Sequence, residues 1–238
     1  MNNLIVASIV YNEEHRFLEE YLKSISKLTD KIVIVDDGST DNSLNICSKY
    51  TSNIWQTNRL YNKNEAELRN FLWEKTIQIA EHGDFIFNSD CDEIFTENSL
   101  NNFHKALYEC NQLGGDAIGW KKYDMWNKTQ YREDFLWQAS QFYWVWCIKF
   151  NKYRDYYWTN MKIHGGSVPI NSYFSAYPSK LQIQHWAYST LELRKQKVDF
   201  YKTYDEGAKC GNKQQYDSIL DENPNLIDFK DNFEDFHE

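Results

Sequence analysis

Three carboxylates are crowded behind an apolar run in "FIFNSDCDEIF", residues 85–95. Asp90, Asp92 and Glu93 lie within four positions. Carboxylates this close raise each other's proton affinity unless a cation or a hydrogen-bond donor compensates. Asp90 and Asp92 lie two apart, so an extended backbone would point both side chains the same way. The stretch therefore predicts a site for a hard divalent ion, Mn²⁺ or Mg²⁺, which would in turn hold the phosphates of a ligand.

Two further polar clusters follow apolar runs of the same kind. "YNEE" (11–14) comes after the run at 4–10, and "DDGSTD" (36–41) comes after the run at 31–35. Taken alone, the first could begin a helix, and the second could be a tight turn in which Asp41 caps the next helix. Ligands of open α/β sheets bind at the carboxyl ends of strands. We therefore expect the three clusters to face one crevice that holds a nucleotide diphosphate, with Asp37 accepting a hydrogen bond from the ribose or the base.

The elements that must position these clusters alternate along the chain. Continuous apolar runs predict buried strands at 4–10, 31–35, 53–57 and 84–87. Apolar residues at helical spacing predict helices at 13–28, 42–50, 65–82 and 190–206. This order is typical of an α/β fold with a mostly parallel central sheet flanked by helices. From 116 to 185 the chain is aromatic and strand-like, which predicts mixed strands and long loops.

Composition narrows the function classes. With 26 basic and 35 acidic residues the net charge is −9, which argues against a partner rich in phosphate, either nucleic acid or an anionic membrane. No apolar run approaches the ~20 residues of a membrane span, so any membrane contact is expected to be peripheral. The five cysteines are widely spaced and the N-terminal run lacks the features of a signal peptide. These features predict a reduced, cytoplasmic protein.

Four segments, in this order and spacing, carry a family resemblance: "ASIVYNEEHRFLEEYLKSI", "KIVIVDDGSTDNSLNI", "AELRNFLWEKT" and "FIFNSDCDEIF". With them the sequence resembles glycosyltransferase family 2, whose members have the GT-A fold and use nucleotide sugars. The resemblance covers roughly the first 110 residues strongly. It implies one GT-A-like domain over 1–238, with a nucleotide-sugar and metal half at 1–115. The half at 116–238 would bind the acceptor and end in a helix and an acidic tail.

The resemblance also implies a reaction. Family members invert the anomeric centre, so a metal-dependent enzyme would move a sugar from a nucleotide-diphosphate sugar, with UDP favoured, to a glycan or another hydroxyl acceptor. The "DxDE" form seen here occurs in relatives thought to build bacterial surface polysaccharides. A nucleotidyltransferase is an alternative, but it would show a glycine-rich loop where "YNEEH" stands. A non-catalytic carbohydrate-binding protein on the same fold is another.

Site residues carry over from the family motifs. The resemblance assigns donor binding to Tyr11, Glu13, Asp37, Arg69 and Asp90, and metal binding to Asp90, Asp92 and His185. His185 comes from "IQHWAYS", where a packing role beside Trp186 is the plain alternative. His164 in "KIHGGSV" resembles the histidine of a "V-H-E" segment, but Gly165 replaces the acid. The two glycines suggest a mobile loop over the donor.

The second half should supply the catalytic base and the acceptor site. A single displacement requires a carboxylate that takes the proton of the acceptor hydroxyl. The candidates are Asp124, Glu133 and Asp134, and "YREDFLW" favours Asp134 with Glu133 next, although a solvated loop would explain both. Sugar-stacking platforms are expected among Trp126, Trp137, Trp144 and Trp146, some of which must be core. The exposed aromatics and "DFKDNFEDF" (228–236) would suit a homodimer contact.

Overall fold

The computed structural model describes residues 3–62 and 64–231. The described residues form ten strands: β1 Leu4–Val10, β2 Ile32–Asp36, β3 Ile54–Gln56, β4 Phe85–Asn88, β5 Glu93–Phe95, β6 Ala117–Asp124, β7 Gln130–Arg132, β8 Tyr143–Lys149, β9 Ala176–His185 and β10 Leu226–Asp228. They form six α-helices: α1 Leu18–Ile25, α2 Ser43–Cys47, α3 Glu65–Thr76, α4 Glu97–Gln112, α5 Leu191–Tyr204 and α6 Lys213–Asp217. Short 3-10 helices lie at Leu60–Asn62, Ala139–Gln141 and Ser218–Leu220.

Eight of these strands form one sheet in the order β3-β2-β1-β4-β8-β6-β9-β5. β1 to β4 are mutually parallel, β8 runs antiparallel to both β4 and β6, and β9 is parallel to β6. The predicted α/β class, with a mostly parallel sheet flanked by helices, is confirmed. Because β4 pairs with β8, the two predicted halves share this sheet.

Both faces of the sheet are buried, and successive side chains along a strand point to opposite faces. Along β1, Val6 joins one core cluster with Leu22 of α1, whereas Ile5 and Ala7 join the opposite cluster with Leu68 of α3. β7 and β10 pair separately, outside the main sheet. None of the helices in the described ranges combines the length and apolar character needed to cross a membrane. The end of the predicted dimer segment, residues 232–236, lies outside the described residues.

The helix predicted from residue 13 begins at Leu18 instead. The backbone N–H groups of Asn12, Glu13 and Glu14 donate at 3.0, 2.8 and 3.1 Å to side-chain oxygens of the loop after β2 and of the first residue of α2. A donor held by a distant side chain is not available for a helical turn, so the helix starts later. In return, Asp41 accepts from Ser43 N at 3.0 Å at the start of α2. These bonds join the first two polar clusters into one unit.

Candidate active site

A cleft of about 850 Å³ opens at the carboxyl ends of β1, β2, β4, β6 and β9. It is lined by members of all three polar clusters, Tyr11, Glu13, Asp37, Asp90, Asp92 and Glu93. Buried hydroxyls tie the third cluster to the rest of the sheet, since Tyr21 of α1 is hydrogen-bonded to Ser8 of β1 and, at 2.6 Å, to Ser89. Sequence elements far apart in the chain therefore meet in one place.

The acidic stretch at 90–93 is a turn. Glu93 N donates to Asp90 O at 3.1 Å, and Asp90 N donates to Glu93 Oε2 at 3.1 Å. The prediction that an extended backbone points Asp90 and Asp92 the same way is therefore wrong, because the turn sends them to different partners. Trp186 N donates to Asp92 O at 2.8 Å and fixes the turn against the end of β9.

Asp90 faces a buried arginine. Arg69 of α3 donates from Nη2 to Asp90 Oδ1 at 3.0 Å and from Nε to Glu65 Oε1 at 3.2 Å. Burial opposes the charge of Arg69, but the Asp90 and Glu65 carboxylates outweigh it and raise the pKa of the guanidinium. The charge of Asp90 is thus compensated within the protein. Burial and the adjacent Asp90 charge raise the pKa of Glu93 well above its usual range, which favours a neutral carboxyl there.

Asp92 lies beside His185 in one corner of the cleft, and His185 is in turn held by Asp124. Asp124 and His185 are register partners on β6 and β9, and Asp124 Oδ1 lies 2.6 Å from His185 Nδ1. His185 Nε2 lies 3.8 Å from Asp92 Oδ1, too far for a hydrogen bond. Burial alone would raise the pKa of Asp92, but His185, Lys197 and Arg16 outweigh it and lower the pKa.

Within residues 3–62 and 64–231, no three His, Cys, Asp or Glu side chains are grouped to hold a metal ion. Asp92 and His185 nevertheless suit a smaller protein contribution. Mg²⁺ is commonly bound by one or two carboxylates, with waters and substrate phosphates completing its shell. A ligating histidine usually donates its other ring nitrogen to a carboxylate, as His185 would to Asp124. The residues present therefore fit an ion that needs ligand oxygens to complete its coordination.

Asp37 is engaged by the loop after β3. Its buried carboxylate accepts from Leu60 N at 2.6 Å, Tyr61 N at 3.2 Å, Arg59 Nη1 at 3.1 Å and the Thr57 hydroxyl. A carboxylate offers about four lone-pair sites, so these donors fill it. In this arrangement Asp37 does not have a free site to accept the expected hydrogen bond from a ribose or a base. Asp37 instead holds Arg59, whose guanidinium lies 3.4 Å over the Tyr11 ring.

Glu13 carries an unusually basic carboxylate. Its Oε1 accepts from Arg16 Nη1 at 2.7 Å, while Oε2 is buried without a hydrogen-bond partner. Burial raises the pKa of Glu13 to about 7, against a lowering by Arg16. Glu13 therefore exchanges a proton near neutral pH.

The two favoured base candidates do not line the cleft. Asp134 accepts from Arg132 Nε at 2.6 Å and from Leu136 N at 2.9 Å, and Glu133 accepts from the Ser140 hydroxyl. Both serve the loop around β7. Asp124, the third candidate, does line the cleft.

The tryptophans predicted to stack on the acceptor sugar also differ in whether they are accessible from the cleft. Trp126 and Trp137 are 4 % and 1 % exposed and pack edge-to-face in a core cluster, so neither offers an open ring face. Trp137 reaches the cleft wall, and Trp126 does not. The more accessible aromatic rings are Phe142, 57 % exposed, and Trp144, which lies 4.2 Å beneath Lys122 Nζ. A flat apolar face beside a polar group is what sugar stacking requires.

The comparisons with known proteins decide the family. The profile described as "Glycosyl transferase family 2" matches residues 5–174. The chain belongs to glycosyl transferase family 2. No match was found among curated proteins.

Solved structures show the fold of this family 2 protein. The crystal structure of S. aureus TarS is 18% identical with a TM-score of 0.51, covering 92% of this chain. The crystal structure of S. aureus TarS 1–349 is 19% identical with a TM-score of 0.50, also over 92% of this chain. The chain covers 42% of the first structure and 69% of the second. The predicted GT-A-like fold is confirmed.

The C-terminal wall of the cleft holds residues that the sequence reasoning missed. Leu193, Gln196, Lys197, Phe200 and Tyr201 of α5 all line the cleft. Their spacing is that of one helical face, and a lysine within an otherwise apolar or neutral stripe is a signal that could have been found. His164, with a left-handed φ of 61°, also lines the cleft and is hydrogen-bonded to Tyr216 Oη at 2.5 Å. Burial lowers the pKa of His164, which favours a neutral ring.

Proposed function

We propose that this family 2 protein is a metal-dependent, inverting glycosyltransferase that moves a sugar from a nucleotide-diphosphate sugar to a hydroxyl acceptor. The observation that carries the proposal is the pairing of Asp92 with His185 in the cleft, with Asp124 behind the imidazole. The lone pairs of a carboxylate oxygen and an imidazole nitrogen repel each other when they face one another. The pair therefore needs a cation between the two groups or a proton on the ring. A UDP-sugar donor, a glycan acceptor, a role in surface polysaccharide synthesis and a cytoplasmic location extend the proposal on the family likeness.

Donor binding follows from the cleft walls. The nucleoside would lie by Tyr11 and Arg59, whose position Asp37 maintains. The diphosphate would lie by Asp92 and His185, where a bound Mn²⁺ or Mg²⁺ would balance the charge of the leaving group. Arg69 of α3 and Asp90 of the turn after β4 would contact the donor, since the Asp90 side chain is 45% exposed. In this arrangement Asp90 orients the donor, and Asp92 with His185 provides the protein ligands of the ion.

The base in this proposal is Asp124 rather than Asp134. Asp124 Oδ1 lies 2.6 Å from His185 Nδ1 and 3.8 Å from Lys122 Nζ, which in turn lies 4.2 Å from the half-buried Trp144 ring. Burial raises the pKa of Asp124, but Lys122 and His185 outweigh it and lower the pKa, so the carboxylate is ionised. It would take the proton of the acceptor hydroxyl while that oxygen bonds to the anomeric carbon. The bond from that carbon to the diphosphate oxygen breaks in the same step.

Thermal denaturation tests the proposal. The Tm is measured for wild type, for Asp92→Asn and for the exposed control Asp30→Asn, each with Mn²⁺ and a panel of nucleoside diphosphates. A ligand bound only by the folded state at 100 times its Kd adds about 2.7 kcal/mol to the free energy of unfolding. We expect Mn²⁺ with one diphosphate to raise the Tm of wild type and Asp30→Asn but not of Asp92→Asn.

A wild-type Tm that no diphosphate raises would overturn the proposal. Stabilisation by nucleoside triphosphates with pyrophosphate release would favour a nucleotidyltransferase. Stabilisation by sugars alone, with neither nucleotide nor Mn²⁺ effect, would favour a carbohydrate-binding protein.

A further inference from the structure

The cations of the cleft differ in how they are paired. Arg16 is bound to Glu13, Arg69 to Asp90 and Glu65, and Arg59 to Asp37, all at 3.2 Å or less. Lys122 lies 3.8 Å from Asp124. Lys197 forms no hydrogen bond and no ion pair within 4 Å with any residue that the structure describes. Its Nζ lies 5.9 and 6.0 Å from the ring centroids of Phe200 and Tyr188.

An ammonium in such a position has no acidic group of the described residues within ion-pair distance. Lys197 is partly buried in the cleft, and burying a charged group costs free energy unless the group is paired. Burial lowers the pKa of Lys197, but Tyr201 and Asp92 outweigh it and raise the pKa. The side chain therefore carries a full charge that no described residue neutralises at contact distance.

The location of Lys197 indicates which anion would pair with its ammonium group. Lys197 lies in the same corner of the cleft as the Asp92 and His185 pair, because its Nζ is 6.0 Å from the centroid of the Tyr188 ring, which is itself 5.5 Å from that of His185. Lys197 belongs to α5, whereas Asp92 follows β4 and His185 is the last residue of β9. A ligand held by an ion on Asp92 and His185 would therefore also contact Lys197, which lies on a different wall of the cleft. The anionic part of a nucleotide sugar is its diphosphate, and lysine is a common point-charge ligand of phosphate.

We propose that Lys197 binds the diphosphate of the donor and stabilises it as the leaving group. This inference rests on the proposed function and assigns it a second, protein-borne cation. In the reaction the ammonium would offset the negative charge that grows on the diphosphate oxygen as its bond to the sugar breaks. Lys197 makes contact with the reacting group in this proposal and is therefore a catalytic residue.

Calorimetric binding tests the inference with three probes: inorganic pyrophosphate, UDP and uridine, each with Mn²⁺ and again with EDTA. Lys197→Met is compared with Lys195→Met, an exposed lysine two positions away on the same helix. We expect Lys197→Met to weaken pyrophosphate and UDP about tenfold or more, as loss of a charge-assisted hydrogen bond does. Uridine binding should be unchanged, and Lys195→Met should behave as wild type. Because Lys197 does not depend on the ion, the difference should persist in EDTA.

Two further variants separate a binding role from a folding role. Lys197→Gln keeps a polar side chain and should show the same loss, and Lys197→Arg should recover part of the affinity. Equal losses for uridine and for the phosphates would mean that Lys197 only shapes the wall, and the inference would be wrong. Wild-type affinity in both Lys197→Met and Lys197→Gln would also overturn it. Wild-type protein that binds neither UDP nor pyrophosphate would overturn the proposed function itself.

Discussion

At the residue scale, the three crowded acids are stabilised by three different means. Asp90 is paired with Arg69, and Glu93 is favoured in its neutral form by burial. Asp92 has no cation in hydrogen-bond contact and relies on more distant charges, among them His185 and Lys197. Asp90 therefore has a cation at hydrogen-bond distance and Asp92 does not, which makes the two members of the D-x-D pair unequal.

Two aspartates of the second half, Asp124 and Asp134, are compared as candidates for the catalytic base. Asp124→Asn should lower turnover at least ~100-fold, measured at saturating donor and Mn²⁺ so that a weakened ion site is filled. Asp134→Asn should keep turnover per folded molecule, because Asp134 holds Arg132 and Leu136 outside the cleft. It should lower the free energy of unfolding by about 1–3 kcal/mol, measured with urea. Turnover lost in Asp134→Asn but kept in Asp124→Asn would return the role to Asp134.

Glu13 makes stability depend on pH. Its pKa rises from 4.5 to about 7 on folding, so the folded state binds the extra proton between these values and loses stability as pH rises through this window. The Glu13 side chain is only 16% exposed, so on the order of 2–3 kcal/mol is at stake. Urea unfolding at pH 5 and 7.5 should show that wild type loses this much more than Glu13→Gln. The exposed Glu20→Gln should follow wild type. Parallel profiles for Glu13→Gln and wild type would contradict the assignment.

At the element scale, the wall formed by α5 and the segment after it depends on one close approach. Tyr201 of α5 and Tyr216 of α6 stack at 3.9 Å, and Tyr216 Oη donates to Asp205 at 3.0 Å. A Cβ on Gly211 would lie 1.9 Å from Tyr216 Oη and 3.1 Å from His164 Nε2. The stack and the His164 contact therefore require glycine at position 211.

Gly211→Ala should break this wall. Because Tyr216 is held by both its stack and its hydrogen bond, relief of the clash must separate the rings, at a cost of about 1–3 kcal/mol. Hydrogen exchange should rise in α5 and α6, and the nucleotide-dependent rise in Tm should shrink. Gly165→Ala is the control, since its Cβ would meet only Thr159 O at 4.0 Å. Unchanged exchange in α5 and α6 of Gly211→Ala would show that the stack does not maintain the wall.

Elements defined by local pattern were predictable, and those defined by distant partners were not. The apolar runs of β1, β2 and β4 and the spacing of α3 are visible in the sequence. The late start of α1 depends on Ser39 and Asp41 of another loop and on Ser43 of α2. The turn at 90–93 depends on a bond between Glu93 and Asp90. The same holds for the site. The acids are visible in the sequence, Arg69 and His185 could be named only through the family resemblance, and Lys197, on a third element, was missed.

At the scale of the whole molecule, the site is assembled across both halves of the chain. The first half provides Tyr11, Asp37 and Asp92, and the second provides Asp124, His185 and Lys197. The sheet also crosses the boundary, since Phe85, Ile86 and Phe87 of β4 pair with Lys149, Ile148 and Cys147 of β8. The donor corner therefore cannot form from residues 1–115 alone.

This shared sheet predicts that the two halves fold together. In a fragment of residues 1–115, β4 would lose its β8 partner, β5 would lose β9, and Phe87 would lose the Trp120 ring now 5.1 Å away. An unpaired strand edge beside uncovered aromatic side chains favours association over folding. We expect the fragment to bind a hydrophobic dye and to unfold without a cooperative urea transition. The full chain should give coincident transitions by far-ultraviolet circular dichroism and tryptophan fluorescence. A fragment that unfolds cooperatively, or a full chain with two separated transitions, would instead make residues 1–115 an independent nucleotide-binding domain to which the second half is added.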